Sequence, residues 1–173
     1  VAPVSLVERV GWAGQKPLLL PGTLEDNLKL GGGVDADLLP LIEACGLSDL
    51  VRERGLDLAI DPRGSGLSGG ERRRIGLVRA IASGRPILLL DEPTADLDAV
   101  TARKVIDLIA RTARDRLVIA ATHDARLVAR NWGQMSMRSR TPWFAASPCR
   151  GHWLAALRRW WLACSPGYGR ALL

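Results

Sequence analysis

The stretch Ile87-Leu88-Leu89-Leu90, followed at once by Asp91-Glu92-Pro93, restricts the fold of this chain more than any other. Four apolar residues in a row, without alternation, suit a strand of a parallel sheet covered on both faces. Two acids at its end place carboxylates at the C-terminal edge of that sheet, where the ligand sites of α/β proteins lie. Residues 7–13 and Leu117–Thr122 also read as strands, and helix patterns fall between the three. Residues 35–45 form one such pattern, closed by Gly46 as a C-terminal glycine. Ser68 followed by Glu71 is a capping-box spacing, after which Ile75, Val78 and Ala82 recur at helical intervals. Asp98 can cap a further helix, whose Val105, Leu108 and Ile109 make one apolar stripe. Strands alternating with helices predict an α/β fold around a parallel sheet.

Charge divides the chain. Residues 1–124 carry 16 Lys+Arg against 18 Asp+Glu, whereas residues 125–173 carry 8 Lys+Arg and no acid, so the net charge of +6 belongs to the tail. The body therefore offers little drive for counterion release, and nucleic acid is not an expected partner. No apolar run approaches the ~20 residues of a membrane-spanning helix. The first ten residues lack the pattern of a signal peptide, which sets a reducing cytoplasm as the expected compartment. Cys45, Cys149 and Cys164 have no C-x-x-C spacing and form no metal set.

Four local patterns occur in one order, and each suits a nucleoside triphosphate. Leu67-Ser68-Gly69-Gly70-Glu71 stands at a helix start, where backbone N–H groups and the helix dipole favour an anion. Taken alone it reads equally well as a capped helix after a turn. Asp91 can hold Mg²⁺ through its water shell, and Glu92, one residue on, can polarise an attacking water as general base. His123 directly follows the strand Leu117–Thr122 and can hydrogen-bond a terminal phosphate. Gln15, after the first strand, can bind Mg²⁺ or water through its amide. In isolation His123 reads as a surface or capping histidine and Gln15 as a loop glutamine.

Taken together, this order resembles the ATP-binding-cassette (ABC) ATPases over roughly residues 6 to 130. Leu67-Ser68-Gly69-Gly70-Glu71 resembles the family's signature motif, with Glu71 where glutamine is commoner. Leu88-Leu89-Leu90-Asp91-Glu92-Pro93-Thr94 resembles Walker B with its catalytic glutamate. Ala95-Asp96-Leu97-Asp98 is similar to the D-loop without its usual first serine. Gln15 matches the Q-loop and His123 the switch histidine. The resemblance implies a P-loop NTPase-like fold with a helical subdomain at about residues 23–80, carrying the signature. It implies ATP and Mg²⁺ as cofactors, Gln15 and Asp91 at the metal, and Glu92 and His123 in catalysis. It further implies a head-to-tail dimer with a second ABC ATPase domain, whose ATP would meet Ser68, Gly69 and Gly70, with Asp98 communicating between the sites. The transmembrane domains of an exporter would be the other partner, at the cytoplasmic face of the bacterial inner membrane.

One family element has no counterpart. The 173 residues contain no G-x-x-x-x-G-K-[ST] and no Gly-Lys pair, the lysines being Lys16, Lys29 and Lys104. The phosphate cradle is therefore expected ahead of Val1, which makes the fold incomplete at the amino terminus and the chain alone inactive. The alternatives are a degenerate domain that lends its signature to a partner's ATP site, and a non-transport ABC ATPase. Pro21-Gly22-Thr23-Leu24-Glu25-Asp26-Asn27-Leu28 is similar to the segment that faces the membrane domain in exporters. Gly11-Trp12-Ala13-Gly14-Gln15-Lys16-Pro17 is most similar to CydD-type half-transporters, which implies cysteine or glutathione export in support of cytochrome bd assembly.

Residues 131–173 depart from this pattern. Five of the six tryptophans lie there among Pro, Ser, Cys and Arg, with neither period 2 nor period 3.6 sustained. Residues 124–130 supply a short helix, after which no strand is expected. The mix resembles translation in a shifted reading frame of a GC-rich gene, in keeping with 21 Arg against 3 Lys. The other reading is a basic, tryptophan-bearing segment lying on a membrane surface, where residues 153–164 alone are dense enough for a basic amphipathic helix; with no membrane or partner to protect it, the tail is expected to be disordered.

Overall fold

The computed structural model describes residues 8–30, 37–61 and 66–129, and the backbone of two strands at 136–137 and 143–146. Three strands, β1 (Val10–Ala13), β4 (Ile87–Asp91) and β5 (Leu117–Thr122), lie parallel in the order β1-β4-β5. Between β1 and β4 the chain forms β2 (Gly22–Thr23), α1 (Leu24–Lys29), α2 (Leu39–Ala44), α3 (Ser48–Arg54), β3 (Ala59–Ile60) and α4 (Gly69–Ala82). Strands β2 and β3 pair antiparallel in a separate small sheet. Helix α5 (Ala99–Thr112) connects β4 to β5, and α6 (Ala125–Ala129) follows β5.

The helix starts are set by local chemistry. Ser68 Oγ accepts from Glu71 N at 3.1 Å while Glu71 Oε2 accepts from Ser68 N at 2.6 Å, the reciprocal box that starts α4. Asp98 Oδ1 accepts from Val100 N and Thr101 N at 2.9 and 3.0 Å and starts α5. Thr23 and Asp26 form a second box at α1. Helix α2 is shorter than the periodic pattern over 35–45. Pro40 lies in its first turn, where a missing N–H costs nothing, and Gly46 leaves it at φ +67°.

The strands differ from the sequence expectation in one respect. Alternate residues Gly11, Ala13, Leu88, Leu90, Val118, Ala120 and Thr122 are buried, whereas the intervening ones are not closed over. Leu89 is 36% exposed and its register partner Trp12 is 71% exposed. The four-leucine-like run is thus covered on one face among the described residues. An apolar run reports that both sides can be buried, not that both are. Helix α4 closes the covered face. A Cβ on Gly11 would stand 2.8 Å from the Ala80 carbonyl and 2.7 Å from Leu88 Cδ2, so the strand and helix backbones meet there.

A second correction concerns the tail. Strand β7 (Trp143–Ala146) pairs antiparallel with β5, placing Trp143 opposite Thr122 and Ala146 opposite Ile119, and β6 (Ser136–Met137) pairs with β7. The sheet is therefore five-stranded and mixed. Trp-Phe is a strand-favouring pair, and a lateral partner on β5 supplies order that periodicity did not show. The amphipathic pattern at 153–164 and the remainder of the basic tail lie outside the described residues, as does the start of the strand expected at 7–13. Among the described residues no helix is long and apolar enough to cross a membrane.

Candidate functional site

Parallel strands in register bring their C-terminal ends to one edge. Ala13 is level with Leu90, and Asp91 with Ala121, so Gln15, Asp91, Glu92 and His123 all leave the sheet along the same rim. Gln15 Nε2 lies 3.4 Å from Asp91 Oδ1, a contact that joins the ends of β1 and β4.

Glu92 is held more firmly than its neighbours. Its N–H donates to the Ala121 carbonyl at 2.8 Å, and its Oε2 accepts from Thr122 Oγ1 and His123 N, both at 3.2 Å. Its backbone has φ +50°, a conformation that a glutamate adopts only when its surroundings impose it. The side chain is 15% exposed. Its other oxygen, Oε1, is buried without a hydrogen-bond partner and lies 3.6 Å from His123 Nε2, beyond hydrogen-bond length. A buried carboxylate oxygen that lacks a donor is an acceptor for a donor from outside the chain, such as a water.

The metal expectation falls on Asp91 and Gln15. Both carry oxygen donors and they are neighbours, but among the described residues no three His, Cys, Asp or Glu form a cluster. Two protein oxygens with the remainder from water and phosphate suit Mg²⁺, which keeps much of its hydration shell. The residues fit that ion on condition that the Gln15 amide turns its oxygen, not its nitrogen, towards Asp91.

The signature residues stand apart from this rim at the N-terminus of α4. Gly69 and Gly70 are the first residues of the helix, so their N–H groups have no intrahelical acceptor. A Cβ at Gly69 would meet nothing within 4 Å, so the N-terminus faces open space. The Ser68 hydroxyl accepts from Glu71 N and keeps its own proton to donate. The structure does not bring Ser68, Gly69 or Gly70 together with Glu92 or His123 by any hydrogen bond. Asp98 is engaged in capping α5, and the Thr101 and Val100 hydrogen bonds hold its carboxyl below the ordinary range, that of Thr101 foremost.

Three further residues shape the rim, and the sequence did not single them out for it. Thr122, fully buried, bridges Glu92 Oε2 and Asp124 N. Asp124 accepts from Arg126 N, Nε and Nη2, each at 2.9 Å, and this hydrogen bonding holds its carboxyl at a pKa of about 2. Arg73, on α4, reaches Asp96 in the turn after Glu92. Thr122 has a signal in its place as the last residue of the strand, next to His123. Arg73 and Asp96 are 23 residues apart and had none.

Residues 3–95 match the family described as ABC transporter. The glutathione/L-cysteine transport system ATP-binding/permease protein CydC of Escherichia coli (strain K12) is 36% identical over 128 residues, covering 73% of this chain and 22% of that protein. The phosphate import ATP-binding protein PstB 3 of Natronomonas pharaonis is 35% identical over 136 residues, covering 75% of this chain and 48% of that protein. Among solved structures, a bacterial Atm1-family ABC exporter with ATP bound superposes with a TM-score of 0.67 at 28% identity, over 75% of this chain and 24% of the other. This chain spans 22% of the length of the CydC relative and 48% of that of the PstB relative. A family match over more than half of its residues, and a shared fold behind it, place this chain in the ABC transporter family.

Proposed function

We propose that this chain is part of the ATP-binding and ATP-hydrolysing domain of an ABC exporter, with Glu92 as the general base. The observation that carries the reading is Glu92 Oε1, buried, without a partner and beside His123 Nε2 at the strand-end rim. A carboxylate fixed through one oxygen and unpaired at the other can take a proton from an attacking water once nucleotide and water are admitted beside it. His123 would contact the terminal phosphate from the exposed side of the same rim. Gln15 and Asp91 would hold Mg²⁺, whose charge offsets that of the phosphates. Ser68 and the Gly69 and Gly70 N–H groups would receive the terminal phosphate of an ATP held by a second ABC ATPase domain. Asp98 would link the two sites through the turn it closes.

Export is favoured over import by the Pro21–Leu28 segment, whose Thr23 and Asp26 box starts α1 and leaves Leu18, Leu20 and Leu30 exposed beside it. The CydC similarity supports cysteine or glutathione as cargo. It supports the CydC–CydD pair of half-transporters and not the CydD half in particular. The site would then work at the cytoplasmic face of the bacterial inner membrane, against the membrane domains of that exporter.

The test joins this chain to a phosphate-binding loop of the G-x-x-x-x-G-K-[ST] type ahead of Val1 and measures phosphate release. Glu92→Gln should lower turnover at least about 100-fold while nucleotide-driven dimerisation persists. Unchanged turnover would remove Glu92 from the base role. The chain by itself should bind MgATP weakly, because its sequence contains no G-x-x-x-x-G-K-[ST] to cradle the β- and γ-phosphates. The open N-terminus of α4 also favours a second reading, in which this chain serves chiefly to complete a partner's site. Ser68→Arg would then abolish turnover in a mixed dimer, whereas Glu92→Gln would not.

A further inference from the structure

We propose that Arg73 is a positioning residue that ties the Gln15 loop and the turn after Glu92 to helix α4, so that the three move as one unit. This rests on the reading of Gln15 and Glu92 as parts of one nucleotide site.

Helix α4 carries Arg72, Arg73 and Arg74 in a row, about 100° apart around its axis, so each points a different way. Arg73 reaches the site loops. Its Nη1 donates to Asp96 Oδ2 at 2.7 Å and its Nε points at the Gln15 carbonyl at 3.5 Å. The Arg73 side chain is 23% exposed and that of Asp96 72%, so the pair is shielded on the arginine side. A planar fork with donors on separate nitrogens can serve two acceptors at once, which a lysine ammonium on a flexible stem does less well.

Both tied segments have something to hold. Asp96 has φ +60°, a left-handed conformation that Asp tolerates better than most residues but still at a cost. Glu92 has φ +50° four residues earlier, so the turn from Glu92 to Asp98 contains two such residues. Among the described residues two backbone hydrogen bonds close it, Ala95 N to Glu92 O at 3.1 Å and Leu97 N to Thr94 O at 3.4 Å. On the other side, the Gln15 amide that faces Asp91 hangs from the peptide whose carbonyl faces Arg73. Loss of Arg73 therefore frees the turn and the Gln15 loop together, although they belong to different connections of the fold.

The full 173-residue chain, without nucleotide, gives the test by NMR. Asp96→Asn keeps a residue that tolerates positive φ and removes the charge. It should shift the Gln15 side-chain amide resonance in the chain with Arg73 and leave it in place in the Arg73→Met background. Amide exchange at Ala95 and Leu97 should rise about three- to fivefold in Arg73→Met, the scale of a partly exposed ion pair, with Ile75 and Leu77 of the same helix unchanged. Arg73→Lys should restore slow exchange at Ala95 and Leu97 but not the link from Asp96 to Gln15. A Gln15 resonance indifferent to Asp96→Asn in the Arg73 chain overturns the proposal. So does a uniform rise in exchange across α4, which would mean lost stability and nothing more. No nucleotide enters the measurement, so failure of the ATPase reading leaves its result intact, and the reverse holds as well.

Discussion

The two faces of the parallel sheet are built from the same three strands, yet they are treated differently. On one face Gly11, Ala13, Leu88, Leu90, Val118 and Ala120 are buried, with α4 set down on Gly11 so closely that its Ala80 carbonyl lies 2.8 Å from where a Cβ would be. On the other, Trp12 and Leu89 stand side by side in register and remain accessible. Both sides carry apolar residues, and burial differs between them. Packing density therefore decides which residues carry stability, and hydrophobicity alone does not.

The sharpest way to break the comparison is to truncate neighbouring leucines of one strand. Leu88 is 1% exposed and Leu89 36%. Leu88→Ala should destabilise the chain by about 2–5 kcal/mol, since it removes side-chain contacts and leaves a cavity. Leu89→Ala should cost about 1 kcal/mol, because part of its surface is already in water. Urea unfolding of both variants with unchanged slopes gives the difference directly. Equal losses would mean that the second face is closed in solution.

The next effect is smaller and concerns how tightly the covered face is closed. Gly11→Ala adds one methyl against the Ala80 carbonyl, Leu88 Cδ2 and Ser83 Oγ, of which the backbone carbonyl cannot readily yield, and should cost about 1–3 kcal/mol. Gly14→Ala, three residues on, would first meet the Trp12 ring, at 3.1 Å and on the open side, and should cost less than Gly11→Ala. The reverse order would place the close approach at Gly14.

How much of this was legible beforehand depended on whether the signal was local. Leu117–Thr122 appears as a strand with the bounds that its apolar run implied, and Ser68, Glu71 and Asp98 cap the helices they were assigned to. Strand β4 extends by one residue to Asp91, so the acid marks the rim itself. Each of these rests on residues within a few positions of one another. The open face was not legible, because a run of leucines is the same whether one layer or two covers it. Strands β6 and β7 were missed because short antiparallel additions need a partner strand, and nothing in a tryptophan-rich tail names β5 as that partner. At the site, the order of Gln15, Asp91, Glu92 and His123 along the chain became a single rim through the parallel register. The hold on Glu92 through Thr122, and the Arg73–Asp96 pair, arise only from tertiary proximity.

The smallest effect tests the rim where the two faces end. Asp124 follows β5, accepts three hydrogen bonds from Arg126, and is drawn down to a pKa of about 2 by them, with a lesser contribution from Thr94 in the turn after Glu92. In an unfolded chain its carboxyl titrates near the ordinary value of about 3.9. A carboxyl whose folded pKa is depressed contributes stability that is complete above the unfolded value and lost as pH falls towards the folded one. Asp124→Asn should therefore be less stable than the parent at pH 6, and the gap should narrow between about pH 4 and pH 2 as the parent protonates. Since Arg126 is exposed, the gap should also shrink in high salt. Thermal midpoints of both chains across that pH range decide the matter. A difference that stays constant down to pH 2 would mean that Asp124 acts through its shape and neutral hydrogen bonds, and that the charge at this end of β5 does not help to hold the rim.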